Sequence, residues 1–357
     1  MRDVTILLDR DQPDTRVLSR FWTVFSCRDG AVAPVTRARR AGGRIVYAHP
    51  DPVCEDLGAV ALRVEPLRRV APDQAERILA DGAAPGARIV SSADLRPAAL
   101  FERLGAQLME DAAAFAAPPY ARYAGGVGVH VTGEVWAHPE SRIGPGVVLE
   151  ADEGPIIVDA GARLGGYTFV RGPAYIGPGA HIDGARLTGP VVIGRACRIG
   201  GEVDTSVVGD FSNKHHEGFL GHSLVGRWVN LGALTTTSDL KNNYGAVRLR
   251  APDARGALCE IATGRIKFGA IVSDCVKTAI GSQLNTGSIL DAGANLFGAK
   301  PTPPYMKPFS WGPDGVYRLD RFLADCATIF ARRGQTPDDA FCARARRLWT
   351  QTYGEGA

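Results

Sequence analysis

The sequence predicts a mixed fold: a parallel β-helix of six-residue repeats, preceded by a small α/β domain and followed by C-terminal helices. Three observations predict it. Val158, Leu164, Val170, Ile176 and Ile182 stand six residues apart, and Ile193 and Ile199 resume the step after an offset. Gly165, Gly177, Gly194, Gly200, Gly209, Gly221, Gly226 and Gly232 each follow an apolar residue, as the corners of a hexapeptide solenoid require. Before the repeat, short apolar runs alternate with helix-like stretches, the pattern of a mostly parallel sheet.

Residues 1–120 hold that first unit. The runs Val4–Leu8, Arg44–Tyr47 and Arg88–Ser91 are strand candidates. Helices are expected near 31–41, 73–81 and 97–116, the last Ala-rich and full of good helix formers. Pro118-Pro119 and Gly125-Gly126 mark the boundary. The repeat then occupies residues 127–299. Three hexapeptides complete a coil of about 18 residues, and each coil buries its inner face only by stacking on its neighbours. The pattern lapses over 235–267 and returns at Phe268-Gly269, Ile280-Gly281 and Leu296-Phe297-Gly298. An interruption longer than about 15 residues in a compact domain is usually functional, and this one reads as an arm leaving the prism. Pro301 to Pro304 ends the repeat, and the tail 300–357 carries two helices, Tyr317 to Arg333 and Pro337 to Tyr353. Thr336 is the expected N-cap of the second, with Pro337 in its first position and Asp338 and Asp339 in its first turn.

Composition narrows the function. With 357 residues, 45% of them apolar, the chain can bury a substantial core. A formal charge of +3 makes no case for a nucleic-acid partner. No apolar run approaches the roughly 18 residues that span a bilayer, so no membrane partner is expected. The N-terminus is no signal peptide. Seven scattered cysteines without a CxxC pair point to reduced thiols and a cytoplasmic protein.

The repeat is broken at Asn213-Lys214-His215-His216-Glu217-Gly218-Phe219-Leu220-Gly221-His222. A neutral imidazole accepts a proton near neutral pH, and His216 is the favoured general base. The plain alternative is that His215 or His216 caps a turn or meets solvent. Adjacent residues on a strand face opposite ways, so the two rings are not expected to serve one centre. No metal centre is expected, because no structural zinc spacing is present among His215, His216, Glu217 and His222, and thiolates are absent nearby. Asn230 offers an amide to orient an acceptor or, equally, a solenoid ladder. Lys214, Arg227, Lys241 and Lys277 offer charge to a phosphate or simply face water.

The stretch 213–223, followed by Val229-Asn230-Leu231-Gly232-Ala233, resembles the acyltransferase half of bacterial sugar nucleotidyltransferase-acetyltransferases. It is similar above all to the alternative bacterial form of the bifunctional UDP-N-acetylglucosamine diphosphorylase/glucosamine-1-phosphate N-acetyltransferase. Residues 238–244, Asn285-Thr286-Gly287 and Pro308-Phe309-Ser310-Trp311-Gly312 extend the resemblance in order.

The resemblance implies a left-handed β-helix, a homotrimer with sites between prisms, and acetyl-CoA or another acyl-CoA as co-substrate of an N-acyltransferase acting on an amino sugar, its phosphate or a related amine. It implies His216 as catalytic base, Asn230 at the acceptor and the Ala233 N–H at the acyl oxygen. It also implies Lys214, Phe219, Asp239 and Lys241 around the substrate, and Leu234, Ala270 and Lys277 along the acyl donor.

Leu234 stands where the family has glycine, which bears on the acyl pocket. His222 replaces a smaller polar residue or an acid. Residues 24–31 faintly resemble the family's start, but Asp9 to Pro13 is no phosphate cradle, and the first domain reads as a reduced nucleotidyltransferase. Two other readings stay open: a sugar-1-phosphate nucleotidyltransferase, and a catalytically silent trimeric scaffold.

Overall fold

The computed structural model describes three strands, Val4–Leu8, Arg44–Ala48 and Arg88–Ser91, and residues 97–253, 256–298 and 301–354. The three strands form a parallel sheet with Val4–Leu8 in the middle. Helices expected near 31–41 and 73–81, and the segments 9–13 and 24–31, lie outside the described residues.

The repeat folds as a parallel β-solenoid with three faces. Face A stacks Arg142–Ile143, Arg163–Leu164, His181–Ile182, Arg198–Ile199 and Asn213–Lys214. Face B stacks Phe169–Arg171, Arg186–Thr188, Glu202–Asp204 and Phe219–Gly221. Face C runs from Ala174–Ile176 through Val191–Ile193, Val207–Val208, Leu224–Val225, Ile271–Val272 and Ile289–Leu290 to Tyr305–Met306. Ala174 pairs with Ile156 and Val191 pairs with Ala174, steps of 18 and 17 residues, or one coil each. The residues of the six-step pattern are the interior: Val158, Leu164, Val170, Ile176, Ile182, Ile193 and Ile199 are all buried in one cluster.

Face C is apolar on both sides, as strands covered twice must be. Its outward residues Ile157, Tyr175, Val192, Val207 and Leu224 meet helix α1, Pro97–Ala112. Leu100, Phe101, Leu104, Leu108 and Ala112 recur at helical spacing along α1 and form the stripe that covers them. The arm adds Val247, Leu249, Ala251 and Phe268 to this cluster. Thr236–Thr237 still pairs in the solenoid with Gln283–Leu284, so the arm departs after it. Its body is an antiparallel hairpin of Arg248–Pro252 and Leu258–Ala262.

Helices α2 (Leu319–Ala331) and α3 (Asp339–Tyr353) close the corner between faces C and A. Phe211, Trp228 and Cys275 take positive φ at that corner. Trp228 is stacked between Phe211 (4.4 Å between ring centroids) and Phe330 of α2 (3.8 Å). The N-cap of α3 is Asp338 and not Thr336: its extended backbone lets the carboxylate accept the Phe341 N–H at 2.7 Å.

Candidate functional site

The corner between faces A and B carries His216. The strand Asn213–Lys214 ends face A, residues 215–218 turn the corner, and Phe219–Gly221 opens face B. The two histidines therefore sit in a turn, where strand alternation does not apply. Their rings lie 5.3 Å apart, centroid to centroid. His215 is held by Asp183 from two coils earlier, 3.0 Å from its Nε2, across the intervening Gly200. His216 is exposed.

Beneath it lies Lys214. It pairs in register with Ile199 and occupies the inward position that aliphatic residues fill in earlier coils. Only 3% of it is exposed, and its ammonium donates to the carbonyls of Gly200 (2.8 Å) and His216 (2.5 Å). Burial pulls its pKa down to about 8, against the opposing pull of Glu217 and Glu202. A lysine expected at the substrate is instead an internal prop that ties down the His216 backbone, because its stem points into the stack.

The next coil brings Asn230 and the 232–235 turn to the same region. Asn213 Nδ2 donates to Asn230 Oδ1 at 3.2 Å, and Asn230 is exposed on face A. The Leu234 N–H donates to Glu217 O at 2.9 Å, which places Ala233 and Leu234 one coil from His216 on the same corner. Leu234 sits at φ 61° with 57% of its surface exposed. Phe219 is half-buried, with its ring over Gly221: a Cβ there would lie 2.2 Å from the ring tip, so a larger residue at 221 would displace the ring.

Other candidates lie apart. Lys277 follows Asn230 along face A, but its Nζ is enclosed over the Tyr317 ring at 5.4 Å, with no hydrogen-bond partner among the described residues. Ala270 is fully buried in the solenoid interior. Its N–H is bonded to Ser223 Oγ and its C=O to the Leu224 N–H, so it lines no ligand groove. Lys241 reaches Ala246 O within the arm at 2.7 Å. Asp239 lies at the opposite corner, between faces B and C, where its Oδ2 meets His222 Nδ1 at 2.7 Å.

That corner holds a second cluster. Asp204, His222 and Asp239 come from three successive coils, with their potential donor atoms all within 4.8 Å of one another. His222 is 7% exposed and takes φ 43°. Burial lowers its pKa, and the hydrogen bond to Asp239 works against that shift. The sequence carried a signal for this cluster: the three residues are 18 and 17 apart, one coil each, a spacing that a search for local ligand motifs passes over.

No helix among the described residues is long and apolar enough to cross a membrane. No protein-family model matches the chain. It is 32% identical over 121 residues to the bifunctional protein GlmU of Cyanothece sp. (strain PCC 7425 / ATCC 29141), covering 33% of this chain and 25% of that protein. It is 37% identical over 123 residues to the bifunctional protein GlmU of Synechococcus sp. (strain RCC307), again covering 33% of this chain and 25% of that one. The chain thus spans about a quarter of the length of these curated relatives.

Among solved structures it is similar to the acetyltransferase domain of PglB from Neisseria gonorrhoeae in complex with acetyl coenzyme A, at 12% identity and a TM-score of 0.22, covering 81% of this chain and 95% of that one. It is also similar to PerB from Caulobacter crescentus in complex with CoA and GDP-perosamine, at 14% identity and a TM-score of 0.20, covering 83% and 88%. Superpositions this loose carry no functional argument. What stands is a hexapeptide-repeat solenoid with a partial sequence likeness to GlmU.

Proposed function

We propose that the chain is an acyl-CoA-dependent N-acyltransferase acting on an amino sugar, its phosphate or a related amine, with His216 as general base. The observation that carries this reading is the A–B corner: an exposed imidazole on a turn fixed from below by Lys214, with Asn230 and the Ala233 amide one coil away. In this mechanism Asn230 orients the acceptor. The amine attacks the thioester carbonyl, and His216 takes its proton as the C–N bond forms. The Ala233 N–H, which donates no backbone hydrogen bond among the described residues, meets the developing oxyanion. Such a donor is worth about 3–4 kcal/mol in comparable sites. Collapse of the adduct breaks the C–S bond, and the imidazolium returns its proton to the departing thiolate. Leu234 is the residue that shapes the acyl pocket.

The active assembly on this reading is a trimer. Tyr167 (90% exposed) and Ile280 (77%) are exposed apolar side chains at the A–B corner, several coils apart, that a neighbouring prism would cover. Lys277, covered by Tyr317, serves the C-terminal cap rather than a CoA phosphate.

Incubation with a panel of acyl-CoAs and amino sugars, read by free thiol release, tests the proposal. Amine-dependent thiol release is the expected result. Silence across the panel together with no CoA binding in calorimetry favours the scaffold reading.

A further inference from the structure

We propose that Asp204, His222 and Asp239 form a binding site for a divalent cation at the root of the arm. The site does not depend on the acyltransferase reading, since it lies at the B–C corner and His216 at the A–B corner.

The donors are two carboxylates and one imidazole, a mixed oxygen and nitrogen set that suits Mn²⁺, Co²⁺ or Zn²⁺. Backbone bonds fix all three positions. The His222 N–H donates to Asp204 O at 3.0 Å, the Gly269 N–H to His222 O at 2.8 Å, and the Phe268 N–H to Asp239 O at 2.8 Å. Phe101 of α1 stands edge-on to the imidazole, with centroids 6.2 Å apart, and walls off one side. The side chains of His222 and Asp239 are 9% and 13% exposed, so these two donors sit in a largely dehydrated place beside the half-buried Asp204. Thr205 Oγ1 donates to Asp204 at 3.0 Å, and Lys267 acts on His222 from the returning strand. Two carboxylates at this spacing carry more negative charge than one imidazole and one lysine at longer range offset, and buried charge of this kind is paired or coordinates metal.

Ion entry exchanges the Asp239–His222 hydrogen bond for ligand bonds to both residues. The Nδ1 proton leaves to solvent or moves to Nε2, freeing the Nδ1 lone pair. The arm leaves the solenoid directly after Asp239 and returns at Phe268, so the ion would clamp both ends of the arm to the coil above.

The test is titration of the full chain with Mn²⁺, counting free ion by electron paramagnetic resonance. The expected result is one ion per chain, with affinity reduced by at least the roughly 10–100-fold that loss of a supporting ligand costs in His222→Ala, Asp204→Asn and Asp239→Asn. Should a variant misfold, the wild-type complex decides alone: its spin-echo spectrum is expected to show a directly bound imidazole nitrogen, and its thermal midpoint to rise with Mn²⁺. A wild-type chain that leaves Mn²⁺ free, variants that bind like wild type, or a spectrum without nitrogen coupling would each overturn the proposal.

Discussion

At position 214 the inward stack of aliphatic side chains admits an ammonium group. The sequence shows a lysine in a broken repeat and suggests a phosphate ligand. Only the register with Ile199 shows that the side chain points inward. The sign of its pH effect follows from the lowered pKa. Between about pH 8 and 10.5 the unfolded chain binds the proton more tightly than the folded one, so stability rises with pH across that window. Lys214→Met is expected to lose this rise in chemical denaturation, and to lower turnover because the His216 carbonyl loses its tether. Asp274 behaves oppositely. It is fully buried, its Oδ1 accepts the Arg227 N–H at 2.7 Å, and its Oδ2 has no partner among the described residues. Burial raises its pKa to about 7. The folded chain therefore holds the proton more tightly from about pH 4 to 7, and stability falls as pH rises through that window. Asp274→Asn keeps the acceptor and removes the charge, so its thermal midpoint is expected to exceed that of wild type at pH 8.

Among the elements, those carried by hydrophobic period were legible and those fixed by capping and corners less so. The six-step residues predicted the interior, and the Ala-rich run at 97–116 became α1. The cap of α3 went to Asp338 because its carboxylate reaches the Phe341 N–H, a geometric choice between two capping residues that sequence leaves open. Asp338→Ala is expected to cost about 1 kcal/mol in denaturant unfolding. Corner residues at positive φ are likewise hidden in sequence. Leu234 holds φ 61°, a conformation that costs a non-glycine residue roughly 1–2 kcal/mol. Leu234→Gly is expected to be at least as stable as wild type and, if the corner is the acyl pocket, to shift the preferred acyl-CoA.

At the scale of the whole molecule, the solenoid was written in the sequence because its inner face repeats. The sites were partly hidden because their members recur once per coil. The motif that proposes His216 is local and can be read from the sequence. The Asp204, His222 and Asp239 column and the burial of Ala270 needed the stacking register. The proposed trimer would cover the exposed Tyr167 and Ile280: sedimentation is expected to give the mass of three chains, and Tyr167→Lys with Ile280→Lys to give one. The most direct test of the central claim is the acyl-transfer rate of His216→Ala with CoA affinity and assembly state measured on the same sample. Turnover at least about 10²-fold below wild type, with both other properties unchanged, is the expected result. Turnover within a few-fold of wild type would remove His216 from the chemistry and contradict the account.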